Sequence, residues 1–298
     1  MSVGSRGVGC AIGACVVWGV FPVYWKQLVH VTSLQVIGHR FVWSFLLMVV
    51  IVLVSGRARE FRDALTGSWR SAVFPITGFL IGLNWYTFIW AVESDVIVEA
   101  SLGYFITPLV NVGLGVVVLR ETLRPAQWLA VGLALAGVIY LTIVYGAIPI
   151  IALTLAFSFG VYGLLKKTAL LGATHSLTAE TAAMFVPATV YLVWAESTGD
   201  GSFAHSGTLT DVLLLSTGPV TVVPLLLFGW AVQRIRLSLM GLVQYIAPTL
   251  QFVVGVAIYH EPFTSQQLIG YSLVWIALVV LTVEGMMTHR LRMAARTG

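Results

Sequence analysis

"SLGYFITPLVNVGLGVVVLRE" (residues 101–121) returns 140 residues later as "GLVQYIAPTLQFVVGVAIYHE" (241–261). Leu102, Ile106, Pro108, Gly115, Val116 and Glu121 recur as Leu242, Ile246, Pro248, Gly255, Val256 and Glu261. At the same offset "FIWAV" (88–92) returns as "FGWAV" (228–232), and at an offset of 141 "WGVFPVYWK" (18–26) pairs with "FGVYGLLKK" (159–167). Apolar segments resemble one another by chance, but one offset shared along several segments marks an internal repeat.

The surrounding sequence says what repeats. Of 298 residues 58% are hydrophobic and only 9% are charged, against roughly 25% charged in an ordinary soluble domain. Apolar runs near 20 residues occur at 7–25, 34–54, 71–92, 97–119, 126–144, 147–165, 176–195, 211–232, 238–258 and 265–285. Each is long enough to cross a bilayer as a helix. The expected fold is an all-α polytopic membrane protein of ten transmembrane helices, with the lipid bilayer as its first partner. The first run follows one arginine and precedes nine more spans, so it reads as a retained span rather than a cleaved signal.

Charge sets the expected orientation. With a cytoplasmic N-terminus, the inner side holds Arg6, Arg57, Arg59, Arg62, Arg70, Arg120, Arg124, Lys166, Lys167, Arg234, Arg236, Arg290, Arg292 and Arg296, fourteen of the sixteen basic residues. Lys26 lies outside and Arg40 lies within a span. This is the positive-inside pattern. It puts both termini in the cytoplasm, with the membrane itself the bacterial inner membrane. The net charge of +4 is scattered over segment ends, so it indicates no nucleic-acid partner.

A unit of five spans is odd, so the second copy crosses in the opposite sense. The link after the third span carries Glu93 and Asp95, whereas its counterpart carries Arg234 and Arg236. Residues 1–145 and 146–298 thus form a 5+5 inverted-topology repeat, an arrangement that lets two similar halves exchange inward- and outward-open shapes around a midplane site.

The chain resembles the drug/metabolite transporter superfamily, EamA type, and within it RarD-like permeases. The likeness rests on "VIGHRFVWS", "GLNWYTFIWAVESDVIVEASLGYFITPLVNVGLGVVVLRETL" and "QYIAPTLQFVVGVAIYHEPF". It implies a ten-helix inner-membrane permease and, as the default, export of a small metabolite or drug by alternating access. A non-transporting receptor or scaffold is the alternative class. An intramembrane enzyme would need a metal or catalytic motif such as His-Glu-x-x-His or Gly-x-Ser-x-Gly, and the sequence has none; no cofactor is implied. Oligomeric state stays open. Gly132 and Gly137 hint only at close packing of the fifth span.

Candidate binding residues come from polar and aromatic groups inside spans. The fourth span carries Ser101, Tyr104, Pro108, Asn111 and Gly115 on one face, and the ninth carries Gly241, Gln244, Pro248, Gln251 and Gly255. These faces either line a cavity or pack helix on helix. Asn84 and Trp85 lie mid-span, away from the interfacial belt where Trp collects. His39 and Arg40 lie within the second span, where a charge costs about 2.5–3.5 kcal/mol on insertion scales. Arg40 either snorkels to the outer headgroups or faces inward, pairing with Glu99 or holding an anionic substrate group. His39 is a candidate proton sensor. Glu99 and Glu180 are candidates for proton coupling, or acids favoured by a helix N-terminus. Glu121 and Glu261 are expected to cap the next helix or to pair with Arg120 or His260.

Overall fold

The computed structural model describes residues 3–56, 58–59, 62, 73–94, 97–146, 150–168, 172–259 and 264–297. Eleven α-helices occur among them: α1 (Val3–Trp25), α2 (Ser33–Val54), α3 (Val73–Glu93), α4 (Ile97–Val117), α5 (Pro125–Tyr145), α6 (Ile150–Thr168), α7 (Ala173–Thr198), α8 (Thr208–Val232), α9 (Leu237–Gln244), α10 (Ile246–Ala257) and α11 (Ser265–Thr297). They make ten spans, because α9 and α10 are one span interrupted at Tyr245. Pro248 has no N–H to give the Gln244 carbonyl, which is the bond a continuous helix would need there. Eight spans are long and apolar enough to cross a membrane over their whole length, and the fourth and tenth contain the shorter apolar stretches Gly103–Val117 and Leu268–Glu284.

Local chemistry sets the helix ends. Gly146 and Gly199 close α5 and α7 with φ of 77° and 82°, the left-handed conformation that glycine adopts without a Cβ clash. Pro125 starts α5 at a position where the missing N–H costs nothing. Two ends differ from the sequence reading. α7 begins at Ala173 rather than 176, and α11 runs on to Thr297, so Arg290, Arg292 and Arg296 continue a helix rather than a tail.

Most helix pairings are kept when the two halves are exchanged. The first span packs on the eighth and ninth, as the sixth packs on the third and fourth. The second meets the eighth, as the seventh meets the third. The pairs two–seven, four–nine and five–ten each meet their own counterpart. The repeat is therefore a pseudo-twofold arrangement of interleaved helices, not two separate lobes. Gly137 serves this packing: a Cβ there would meet the Gly270 carbonyl at 2.9 Å, so the fifth span closes on the tenth. The core runs through the middle of the bundle, from Ala11 and Phe41 through Trp85 and Tyr162 to Phe228 and Met240. Large apolar side chains on the outer faces, such as Val54, Val117 and Ile143, stay exposed to what is lipid in a bilayer.

Candidate functional site

A cavity opens in the middle of this bundle. Both halves line it. Trp18, Phe21 and Trp25 come from α1, Arg40 from α2, Asn84, Trp85 and Phe88 from α3, and Tyr104, Thr107 and Pro108 from α4. The second half adds Leu155 and Phe159 from α6, Thr221 and Leu225 from α8, and Gln244, Ala247, Pro248 and Gln251 from the ninth span.

Arg40 faces this cavity and is only 3% exposed, which answers whether it snorkels: it points inward. Its Nε donates to Thr221 Oγ1 at 3.1 Å. Its guanidinium carbon lies 3.8 Å from the Trp85 ring centre and 4.6 Å from that of Trp25, so two indoles hold the plane by cation–π contact. Trp85 is in turn fixed by Phe41, ring centres 5.1 Å apart. Trp25 is in reach because α1 ends on it, with a short 3-10 turn (Lys26–Leu28) leading to α2. Among the described residues no carboxylate pairs with Arg40. The side chain of Glu99, one expected partner, lies outside the described residues.

The other expected residues separate into lining and bracing. Trp85, Tyr104, Gln244 and Gln251 line the cavity. Asn84 also lines it, but its Nδ2 donates to the Leu155 carbonyl (2.9 Å) and Ser158 Oγ (3.0 Å), so it ties α3 to α6. Gln251 ties α10 to α1 through the Trp18 carbonyl at 3.1 Å. Asn111 is fully buried and off the cavity; it donates to Gln244 Oε1 and joins the fourth span to the ninth. That contact needs helices in close approach, and Gly241 permits it: a Cβ there would meet Asn111 Cβ at 3.0 Å. His39 is also off the cavity. Its Nδ1 accepts from Trp43 Nε1 at 3.1 Å and its ring packs 5.4 Å from Phe203 of the α7–α8 link. Being one position from Arg40 turns it about 100° around the helix.

Glu180 belongs to a second polar group. It lies two turns into α7, not at the N-terminal turn, because the helix starts early. Its Oε1 pairs with Lys166 Nζ at 2.8 Å and accepts from Ser176 Oγ at 2.8 Å, while Oε2 accepts from the Tyr162 hydroxyl at 3.2 Å. Lys166, read from the sequence as a loop cation, is 0% exposed. The sequence signal for that was thin: two adjacent lysines at the end of an apolar run. Trp25 and Thr221 also escaped the sequence reading. Thr221 lies between Pro219 and Pro224 on α8, and that was its only mark.

One end of the bundle collects Arg124, Lys167, Arg234 and Arg236. Here Glu121 caps not the next helix but α9 of the other half: it accepts from Leu237 N (2.8 Å), Ser238 N (2.9 Å) and Ser238 Oγ (2.6 Å). Burial alone would raise the Glu121 carboxyl, but these bonds and the Lys167 charge outweigh it and hold it below the usual carboxylate range. Arg236 adds bonds to the Thr122 carbonyl and hydroxyl, and Lys167 to the Val232 and Ile235 carbonyls. The basic end is thus stitched across the two halves. Glu261 and His260 lie outside the described residues.

A ten-span bundle with a cavity lined by both of its inverted halves is the architecture of a membrane transporter. The EamA-like transporter family model matches residues 5–143. The chain is 43% identical to "Protein RarD" of Streptomyces exfoliatus over 278 residues, covering 93% of this chain and 88% of that one. It is 40% identical to an uncharacterized transporter of Vibrio cholerae (95% and 93% covered) and 38% identical to "Protein RarD" of Escherichia coli (96% of each). A solved crystal structure superposes with a TM-score of 0.72 at 17% identity, covering 94% of this chain and 98% of the other, which shows the shared fold. The chain belongs to the EamA-type transporters, as a RarD-like permease.

Proposed function

We propose that the protein is a secondary transporter of the bacterial inner membrane that exports a small metabolite or drug by alternating access, with the cavity around Arg40 as its substrate site. The observation that carries this reading is the cavity's composition: residues from both inverted halves converge on it, and most pairings of those halves survive their exchange. Such a site can be served from either side by tilting one half against the other. Trp85, Tyr104, Gln244 and Gln251 act as contact residues; Asn84 and Asn111 brace the walls.

In the proposed orientation both termini and the basic end face the cytoplasm. The bonds made by Glu121, Arg236 and Lys167 then form an inner gate that opens when substrate loads. The purified protein, reconstituted in liposomes, is tested with metabolites first selected by a thermal-shift screen. Saturable flux that is impaired by Asn111→Leu and abolished by Arg40→Gln supports the carrier. Binding with no flux of any hit would favour a receptor instead. Orientation is read by single cysteines, Arg59→Cys and His205→Cys, in a Cys10→Ala, Cys15→Ala background. Membrane-impermeant label reaching both from one side would overturn the inversion.

A further inference from the structure

We infer that the cavity takes a small organic monoanion, a carboxylate carried on a flat apolar body, with Arg40 as its charge partner. This deepens the carrier reading and rests on this cavity being the substrate site. Among the described residues that line the cavity, Arg40 is the sole formally charged one and none is a carboxylate. Thr221 holds the guanidinium through Nε, and the Trp25 and Trp85 rings pack against it. Nη1 and Nη2 make no hydrogen bond among the described residues. A planar fork with two free donors matches the two oxygens of a carboxylate, and its orientation is set before the ligand arrives, which lowers the cost of binding.

The remaining wall decides the rest of the ligand. Trp18, Phe21, Phe88 and Phe159 present aromatic surface, and Phe88 meets Tyr104 edge-on at 5.3 Å. That surface suits an apolar, flat body. A cation would be repelled by Arg40 at low dielectric and would find no acid among the described lining residues to hold it. A phosphate dianion would leave one charge uncompensated, since a single arginine supplies one.

The test uses three probes of one shape and three charges: phenylacetate, phenylacetamide and phenethylamine. Each is titrated calorimetrically into the purified full-length protein at neutral pH. Phenylacetate is expected to bind about tenfold or more tighter than the amide, the gain of a charge-assisted pair, with the amine weakest. Arg40→Gln should erase that preference, and Arg40→Lys should keep it in weakened form. The inference is overturned by amide or amine binding as tightly as phenylacetate, by a carboxylate preference surviving in Arg40→Gln, or by no binding of any of the three at millimolar concentration. Flux separates this from the carrier reading. A carboxylate preference in binding without saturable uptake of labelled phenylacetate into proteoliposomes keeps the anion site and overturns the carrier. Saturable flux of the neutral or cationic probe without carboxylate preference does the reverse.

Discussion

Lys166 and Arg40 are both cations buried in apolar helices, 0% and 3% exposed, yet their surroundings differ. Lys166 has a carboxylate at 2.8 Å, and each partner of that pair is bonded further, to Ser176 and Tyr162. Arg40 has two aromatic faces, one hydroxyl and an open cavity. Taking a charge out of water costs several kcal/mol even after relaxation, and a partner must offset it. Lys166 finds its partner within the protein; Arg40 does not, among the described residues. The difference separates a group that holds the helices together from one that faces an open cavity, the proposed ligand partner. It also favours a bracing role for Glu180, which is not among the residues lining this cavity and whose oxygens pair with Lys166, Ser176 and Tyr162.

The largest effect is therefore expected at the closed pair. Glu180→Gln strands Lys166 in the core and should destabilise the protein by about 3–5 kcal/mol, whereas replacing both partners by methionine should recover most of that loss. Denaturant or thermal unfolding in detergent reads both. A single variant as stable as wild type would erase the distinction between the two sites.

A smaller effect is expected at Asn111. Asn111→Leu removes the bond to Gln244 and should cost about 1–3 kcal/mol, with impaired flux and near-normal expression. Wild-type flux from this variant would mean that the tie between the fourth and ninth spans does not shape the cavity.

The smallest loss is expected at the basic end. Glu121→Gln keeps the shape of the cap and weakens its charge, for about 1 kcal/mol. Its pH dependence has a definite sign. The folded carboxyl is held below its unfolded value, so its contribution is complete above the unfolded value, about 4.3, and is lost as pH falls through the lower folded value. Wild type should thus lose its advantage over Glu121→Gln on acidification below about pH 4. An advantage that persists unchanged down to acid unfolding would show that the Glu121 charge does not lock that end.

Much of this was legible in the sequence because the signals are long. Ten apolar runs and an offset of 140 span the chain, and no single contact can reverse them. The site was legible only in part. Arg40, Trp85, Tyr104, Gln244 and Gln251 stood out as polar or aromatic groups in apolar runs, and the fold gathers them. Asn111 and Gln251 occupy equivalent repeat positions, yet Gln251 reaches the cavity and Asn111 is folded against Gln244. Equivalent positions face different neighbours once the side chains of the two halves differ. The surroundings of His39 and Lys166 were illegible for a related reason: what each touches is set by Phe203 in the α7–α8 link and Glu180 on α7, and spacing along one span carries no information about them. Glu121 was read as a local cap because the eye follows the chain, whereas its helix lies 116 residues on.

The contrast between the two buried cations is tested most directly by the thermal midpoint of purified Arg40→Met without ligand, measured beside Glu180→Gln. Methionine fills the space between Trp25 and Trp85 and removes the uncompensated charge. The account expects Arg40→Met to unfold at or above the wild-type midpoint while Glu180→Gln falls well below it. A fall for Arg40→Met as large as that for Glu180→Gln would make Arg40 a structural residue and contradict its assignment to a ligand.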